Sequence, residues 1–220
     1  LNKLDSNQSG FQRFIHDKHD PSSLGNNRVW SIAEGLDGGI WVGTSNGLFK
    51  LDRSTNTFTG FGVGLGSLDH SEIRQVSVDA SGRIWVATRS SFGLFDPQTK
   101  AYQTYNLADQ SLPSVTSLLH YQDDILLSTF AGIYRFSPAQ RNFVTDHHTS
   151  ANALLQNRDV RQVLIDDTGL LWAATRYSGV IKVFPHPPAF ISHKKELGEK
   201  HLYYHTYILY FIANIHFRNH

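Results

Sequence analysis

The chain has no cysteine and no methionine among its 220 residues. Without a thiol there is neither a disulfide framework nor a thiolate metal ligand, so the fold must be held by packing alone and the redox compartment stays open. Without methionine, Leu1 reads as a processed or excised end, with no leader legible ahead of it. Charge of one sign is missing too: 20 basic and 19 acidic residues leave a formal net charge of +1. No large field then draws the chain to a phosphate backbone or an anionic membrane, and nucleic acid is not an expected partner. What is present is apolar: 40% hydrophobic and 12% aromatic residues, enough for a core in 24.8 kDa.

Those apolar residues recur. Val29-Trp30-Ser31-Ile32, a turn at Asp37-Gly38-Gly39, Ile40-Trp41-Val42-Gly43-Thr44 and Gly47-Leu48-Phe49-Lys50-Leu51-Asp52 form a first copy. The second runs from Ile73 to Val78, turns from Asp79 to Gly82, and continues as Ile84-Trp85-Val86-Ala87-Thr88 and Gly93-Leu94-Phe95-Asp96. A third, degenerate copy has Val115-Thr116-Ser117-Leu118, a turn shortened by one residue at Asp123-Asp124, Ile125 to Thr129 with Leu126 in place of Trp, and Gly132 to Phe136. The fourth restores the pattern with Val160 to Ile165, Asp166 to Gly169, Leu171-Trp172-Ala173-Ala174-Thr175 and Gly179 to Val183. From Thr44 to Thr88, Thr129 and Thr175 the steps are 44, 41 and 46 residues, the length of one four-stranded blade.

Each copy predicts strands A to D in meander order. Asp37-Gly38 is the two-residue hairpin signal, and Asp-x-x-Gly at 79–82 and 166–169 suits a longer hairpin closed by a positive-φ glycine. Asp52 to Asn56, Asp96-Pro97-Gln98-Thr99 and Ser137-Pro138-Ala139-Gln140 join C to D. The D strands carry Phe58, Phe61, Tyr102, Tyr105 and Phe143. Leu1-Asn2-Lys3-Leu4-Asp5 matches Leu48 to Asp52 except at its second place, and Phe11-Gln12-Arg13-Phe14 follows as a D strand, so the chain opens halfway through a blade. The tryptophan of strand B is read as filling the wedge between blades, with a sugar-stacking platform as the alternative. The threonine that ends strand B is read as bonding neighbouring backbone rather than as a nucleophile, since no base recurs beside it.

These residues resemble the two-component regulator propeller repeat: a hydrophobic strand, Asp-x-x-Gly, hydrophobic-Trp-hydrophobic-Gly/Ala-Thr, a short loop, then Gly-Leu and a strand ending in Asp. The fit covers roughly residues 1–184, and the third copy departs from it by lacking Trp and the turn glycine. The fold expected is all-β, a β-propeller fragment of about four four-stranded antiparallel blades from a parent that the resemblance makes seven-bladed. The repeats span 1–193, with a half blade at 1–16 and blades at 26–61, 70–105, 114–146 and 157–193. The family implies a periplasmic or otherwise extracytoplasmic sensor region of a hybrid histidine kinase or diguanylate cyclase, without catalysis or cofactor of its own. Its partners would be a small molecule or oligosaccharide, the remainder of the parent protein, and a second copy if it dimerises.

Residues 194–220 break the repeat. Lys194 to Lys200 is a polar connector, and Leu202 to Phe217 is an uncharged run interrupted by His205, Asn214 and His216. At 16 residues it is short of the ~20 a membrane span needs. It is expected to cover a sheet edge or to be foreign to the repeats.

In a meander the B-to-C loop and the D-to-A connection share one face, and ligand binding is expected there. Arg89 and Arg176 follow the threonine in two blades, and Arg74 and Arg161 are equivalent near the start of strand A. Guanidinium groups at such a mouth accept carboxylates or sulfates in bidentate fashion; the alternative is that each pairs with a neighbouring blade's acid, such as Glu72 or Asp159. Phe92 and Tyr177 could supply stacking faces, and Asn46 lies in the corresponding loop of the first blade. His16, His19, His147 and His148 read as loop residues rather than metal ligands. Two other readings stand beside the sensor: a protein-interaction or dimerisation scaffold, and a lyase-type propeller enzyme seeded by His70 and Glu72.

Overall fold

The computed structural model describes residues 1–4, 10–61, 72–107, 112–144, 155 and 157–183. The chain divides into two units, Leu1–Pro187 and Pro188–His220, and every described residue lies in the first. The tail, the run from Ala189 to His193, His70, and His147-His148 fall outside the described residues.

All the sheets are antiparallel meanders, as the repeat predicts. β1 (Asn2–Leu4) and β2 (Phe11–Arg13) form a half blade. The first full blade holds β3 (Val29–Glu34), β4 (Ile40–Thr44), β5 (Gly47–Asp52) and β6 (Thr57–Phe61). The second holds β7 (Ile73–Val78), β8 (Ile84–Thr88), β9 (Phe92–Phe95) and β10 (Tyr102–Tyr105). β11 (Val115–Tyr121), β12 (Asp124–Thr129), β13 (Gly132–Ser137) and β14 (Asn142–Val144) make the third. In the fourth, β15 (Val160–Ile165), β16 (Leu171–Thr175) and β17 (Val180–Val183) are described. The A strands β3, β7, β11 and β15 touch in succession, which places them innermost. One polar bond ties each neighbouring pair: Val76 N donates to Ser31 Oγ at 3.0 Å, His120 Nε2 meets Ser77 Oγ at 3.0 Å, and Thr116 Oγ1 donates to the Val160 carbonyl at 2.6 Å.

The core lies between the sheets, and the B-strand tryptophan fills it. Trp41 packs edge-on against Phe95 of the next blade, with ring centroids 6.1 Å apart and planes at 77°. Trp85 repeats this against Phe136 at 5.6 Å and 65°. Phe95 and Phe136 are equivalent, being paired with Ile84 and Ile125. At the third junction both partners shrink. Leu126 stands for the indole and Val183, paired with Leu171, for the phenylalanine, and Leu155 is buried in the same cluster. Trp172 is only partly buried; Lys182 lies over its ring at 4.7 Å.

Two turns differ from their sequence reading. Asp37-Gly38 does not form a two-residue hairpin. Gly35 N bonds Gly39 O and Gly38 N bonds Gly35 O, the same pattern that Asp79 and Gly82 make with Arg83, and Asp166 and Gly169 with Leu170. In all three the last loop residue is a positive-φ glycine, at 75° for Gly38 and 80° for Gly82 and Gly169, the three-residue loop with a glycine bulge. In the aligned first copy Gly35 occupies the place of Asp79, which is why the local Asp-Gly pair misleads. In the third blade Asp124 belongs to strand β12 and pairs with Tyr121. The turn is Gln122-Asp123, with Gln122 at φ 54°.

The Asp that opens Asp-x-x-Gly has a second task that the sequence did not disclose. Asp79 Oδ2 accepts from Trp85 Nε1 at 2.9 Å, and Asp166 Oδ2 from Trp172 Nε1 at 2.6 Å. The carboxylate satisfies the one polar atom of an indole otherwise surrounded by carbon. Burial pushes the Asp79 carboxyl up, but the bonds from Trp85 and Arg83 outweigh it and hold the group below its ordinary 3.8.

Two measurements test this packing. Trp41→Ala should cost about 3–5 kcal/mol in denaturant unfolding, and a double-mutant cycle with Phe95→Leu should return a coupling of about 0.5–1.5 kcal/mol; additive effects would mean the rings do not meet. A depressed carboxyl contributes stability above its unfolded value and loses it as pH falls through the folded value. Asp79→Asn should therefore lower the urea midpoint at pH 7, and the variant and parent curves should converge as acidification carries the pH below the ordinary carboxylate range.

Candidate functional site

The threonine closing each strand B builds the loop that follows. Thr44 Oγ1 donates to Gly47 O at 2.9 Å and accepts from Asn46 N at 3.0 Å. Thr129 repeats this with Gly132 O and Ala131 N, and Thr175 with Gly179 O and Ser178 N. Thr88 serves the longer second loop through Ser91. The hydroxyl is consumed by backbone, as its position predicts. The B-to-C loop also reaches the residue ahead of strand A: Ser45 N bonds Arg28 O, Phe130 N bonds Ser114 O, and Arg176 N bonds Asp159 O. Loop and connection therefore share one face.

That face is shaped by a bulge at the start of every strand A. Val29 pairs with Thr44, Ile73 with Thr88, Val115 with Thr129 and Val160 with Thr175, and each time the register shifts before the second following residue. The skipped residues are Trp30, Arg74, Thr116 and Arg161. A bulge bends the strand and re-aims the side chain it carries, so the two arginines singled out from sequence are presented by the same backbone device. Nothing in hydrophobic alternation marks it, and Trp30 is the member that sequence reasoning missed.

The arginines form two equivalent assemblies. Arg74 contacts Glu72 at 3.1 Å and its Cζ lies 4.1 Å from the Trp30 ring centre, with Arg28 at 4.3 Å. Arg161 contacts Asp159 at 2.8 Å and lies 4.8 Å from the ring of Phe130. Each guanidinium thus bonds a carboxylate two residues before it in its own blade and covers an aromatic ring of the preceding blade. The carboxylate partners are the expected ones, Glu72 and Asp159, but they belong to the same blade rather than a neighbouring one. Among the described residues, Arg74 Nε and Asp159 Oδ1 are buried without a hydrogen-bond partner.

The remaining residues separate. Arg89 is exposed in the second B-to-C loop, and the Asn46 side chain is exposed in the first. Arg176 is more than half exposed and lies 3.9 Å from Asp159 and 5.1 Å from the ring centre of Tyr177, itself 79% exposed. Phe92 is a correction. Its ring is fully buried, stacked on Trp85 at 5.5 Å and packed on Phe136 and Phe143, so it offers no face to a ligand. Its loop glycine neighbour and polar surroundings in sequence concealed that strand β9 begins there.

The structure offers a hydrolytic arrangement little support. Ser77 Oγ lies 3.0 Å from His120 Nε2, and burial lowers the His120 pKa, yet among the described residues no carboxylate bonds its Nδ1 to orient it. Of the lyase-type seed, His70 is outside the described residues and Glu72 is engaged by Arg74. His16 Nδ1 bonds Leu24 O, and the His19 amide bonds Asp17, both within a loop.

Comparison with known proteins agrees with the repeat. The model of the two component regulator propeller family matches residues 23–46, which span the first bulge, strand β4 and its threonine. The extracellular domain of the hybrid two component system BT3049 of B. thetaiotaomicron superposes with a TM-score of 0.68 at 19% identity, over 83% of this chain and 24% of that one. The corresponding domain of BT4673 from the same organism gives 0.60 at 17%, over 82% and 33%. A gluconolactonase of Xanthomonas campestris gives 0.55 at 12%, over 77% and 65%. At such identities the likeness is one of fold, and this chain spans only about a quarter to a third of the two sensor domains. No curated protein matches the sequence.

Removal of a loop hydroxyl should be costly out of proportion to its size. Thr129→Val should destabilise by about 1–3 kcal/mol, because the half-buried Ala131 amide and the buried Gly132 carbonyl lose their bonds to the hydroxyl. Amide exchange at Ala131 should rise with it, and an unchanged exchange rate would contradict the bonding described.

Proposed function

We propose that this chain, which carries the two component regulator propeller repeat, is a ligand-sensing module of an extracytoplasmic receptor, without turnover of its own. The observation that carries the reading is the repeated bulge. Four times it turns a strand-A residue out of the ladder at the loop face, and in two blades that residue is an arginine bonded to a carboxylate and covering a ring of the blade before. Such an array supplies donors and faces for recognition and holds no base beside a nucleophile. The family match, and the extracellular two component domains among the structural neighbours, support a periplasmic or extracellular receptor of the hybrid kinase or diguanylate cyclase type. The ligand class is a small molecule or oligosaccharide, and the output belongs to the rest of a longer parent.

A scaffold reading is favoured by a different observation. Leu164 and Val180 are exposed and Trp172 partly so on the fourth blade, whereas the equivalent Trp41, Trp85, Leu48 and Phe92 are buried against a following blade. An apolar face of this kind takes either a further blade of a longer parent or a partner chain.

Thermal melting of the full chain against a panel of oligosaccharides and metabolites separates the two. A ligand at 100 times its Kd stabilises by about 2.7 kcal/mol, which a melting curve resolves. No stabilisation by any compound, together with dimerisation that grows with concentration and is abolished by Trp172→Glu, would replace the sensor with the scaffold.

A further inference from the structure

The loop face is not uniform, and its four blades can be compared position by position. The residue after the threonine is Ser45, Arg89, Phe130 and Arg176 in turn. In the first blade no cation stands there. In the second, Arg89 is exposed, but the ring that sequence places beside it, Phe92, is in the core. In the third, Phe130 is 44% exposed and is covered by Arg161 of the next blade. Among the described residues, the fourth B-to-C loop alone puts a guanidinium that makes no hydrogen bond beside an open aromatic ring.

Arg176 is held only loosely, as the outer member of an ion pair with Asp159. Asp159 Oδ2 accepts from Arg161 at 2.8 Å, leaving Arg176 at 3.9 Å, too far for a hydrogen bond. The Arg176 guanidinium makes no hydrogen bond among the described residues, and its side chain is 55% exposed. Two arginines, Arg161 and Arg176, share the one Asp159 carboxylate, and the Arg158 guanidinium donates to Ser178 Oγ of the same loop at 2.7 Å. Tyr177, 79% exposed, lies against Arg176 with nothing else on its ring in the described structure. A planar guanidinium accepts a carboxylate through two parallel bonds. The adjoining ring offers an apolar face with a polar rim, which suits the C–H face of a pyranose.

We propose that the fourth-blade loop, through Arg176 and Tyr177, is a subsite for a uronic-acid residue of an anionic saccharide. Arg176 holds the carboxylate, the sugar lies on Tyr177, and Arg161 and Asp159 position the loop rather than touch the ligand. This rests on the sensor reading and narrows its ligand class. It separates a carboxylated sugar from a neutral one, which would not engage Arg176, and from a flat aromatic acid, which presents no C–H face to the Tyr177 ring.

The test uses the full chain, titrated calorimetrically with trigalacturonate, maltotriose and benzoate. The expected result is binding of trigalacturonate that weakens as salt is raised, with maltotriose and benzoate at least about tenfold weaker. Arg176→Gln and Tyr177→Ala should each weaken trigalacturonate by about tenfold or more, while Arg89→Gln, at the equivalent place without a ring, leaves it unchanged. Both side chains lie on the surface, so the variants should melt with the parent, which keeps a loss of binding interpretable. Equal binding of maltotriose or benzoate, or wild-type affinity in Arg176→Gln, overturns the uronate subsite and leaves a sensor whose ligand sits elsewhere. If trigalacturonate does not bind, the subsite falls. The sensor reading falls with it only if the melting panel also yields no ligand.

Discussion

The fold depends on one repeated contact, an indole on the second strand of a sheet driven edge-on into the aromatic ring of the next. A four-stranded meander has two apolar faces and cannot bury either alone. Trp41 and Trp85 each close the gap to the next sheet with roughly 150–250 Å² of surface, and at Trp85 and Trp172 the Asp that opens the preceding turn accepts the indole N–H. Turn and wedge are therefore a single unit. The third junction shows the constraint acting on both partners: where Leu126 replaces the indole, the facing position is Val183 rather than phenylalanine, and Leu155 joins the cluster. Complementary size across the gap, rather than tryptophan as such, is what the interface requires.

With the wedge fixing how the sheets meet, the ends of the strands are left for recognition. The strand-B threonine and the strand-A bulge do this jointly, one clamping the loop through its hydroxyl and the other turning a side chain out beside it. Because both are backbone devices, the residue displayed can change from Trp30 to Arg74, Thr116 or Arg161 without disturbing the ladder. That separation of frame from display lets the residue shown at the loop face vary while the repeat stays constant.

Much of the frame is legible in the residues. Blade period, strand order, the wedge role of Trp41 and Trp85 and the structural use of the threonines all follow from period-two apolar runs and recurring Thr. Leu24 and Leu155, each five residues ahead of strand A and fully buried, recur as well and went unread because they lie in polar connections. Phe92 misled for the converse reason. It follows Arg89-Ser90-Ser91, so local polarity suggested a loop tip, whereas the longer loop delays the strand and returns the ring to the core.

The sequence by itself determined the blade period, the order of the strands and the wedge place of Trp41 and Trp85, because alternation and repeat length are local and each copy confirms the others. The tertiary structure decided the rest. Only across blades does Arg74 meet Trp30 and Arg161 meet Phe130, only the bulge register aims those arginines together, and only the distances show that Asp159 hydrogen-bonds Arg161 and holds Arg176 at 3.9 Å. Such contacts join residues about 30 to 45 positions apart, where no local pattern reaches.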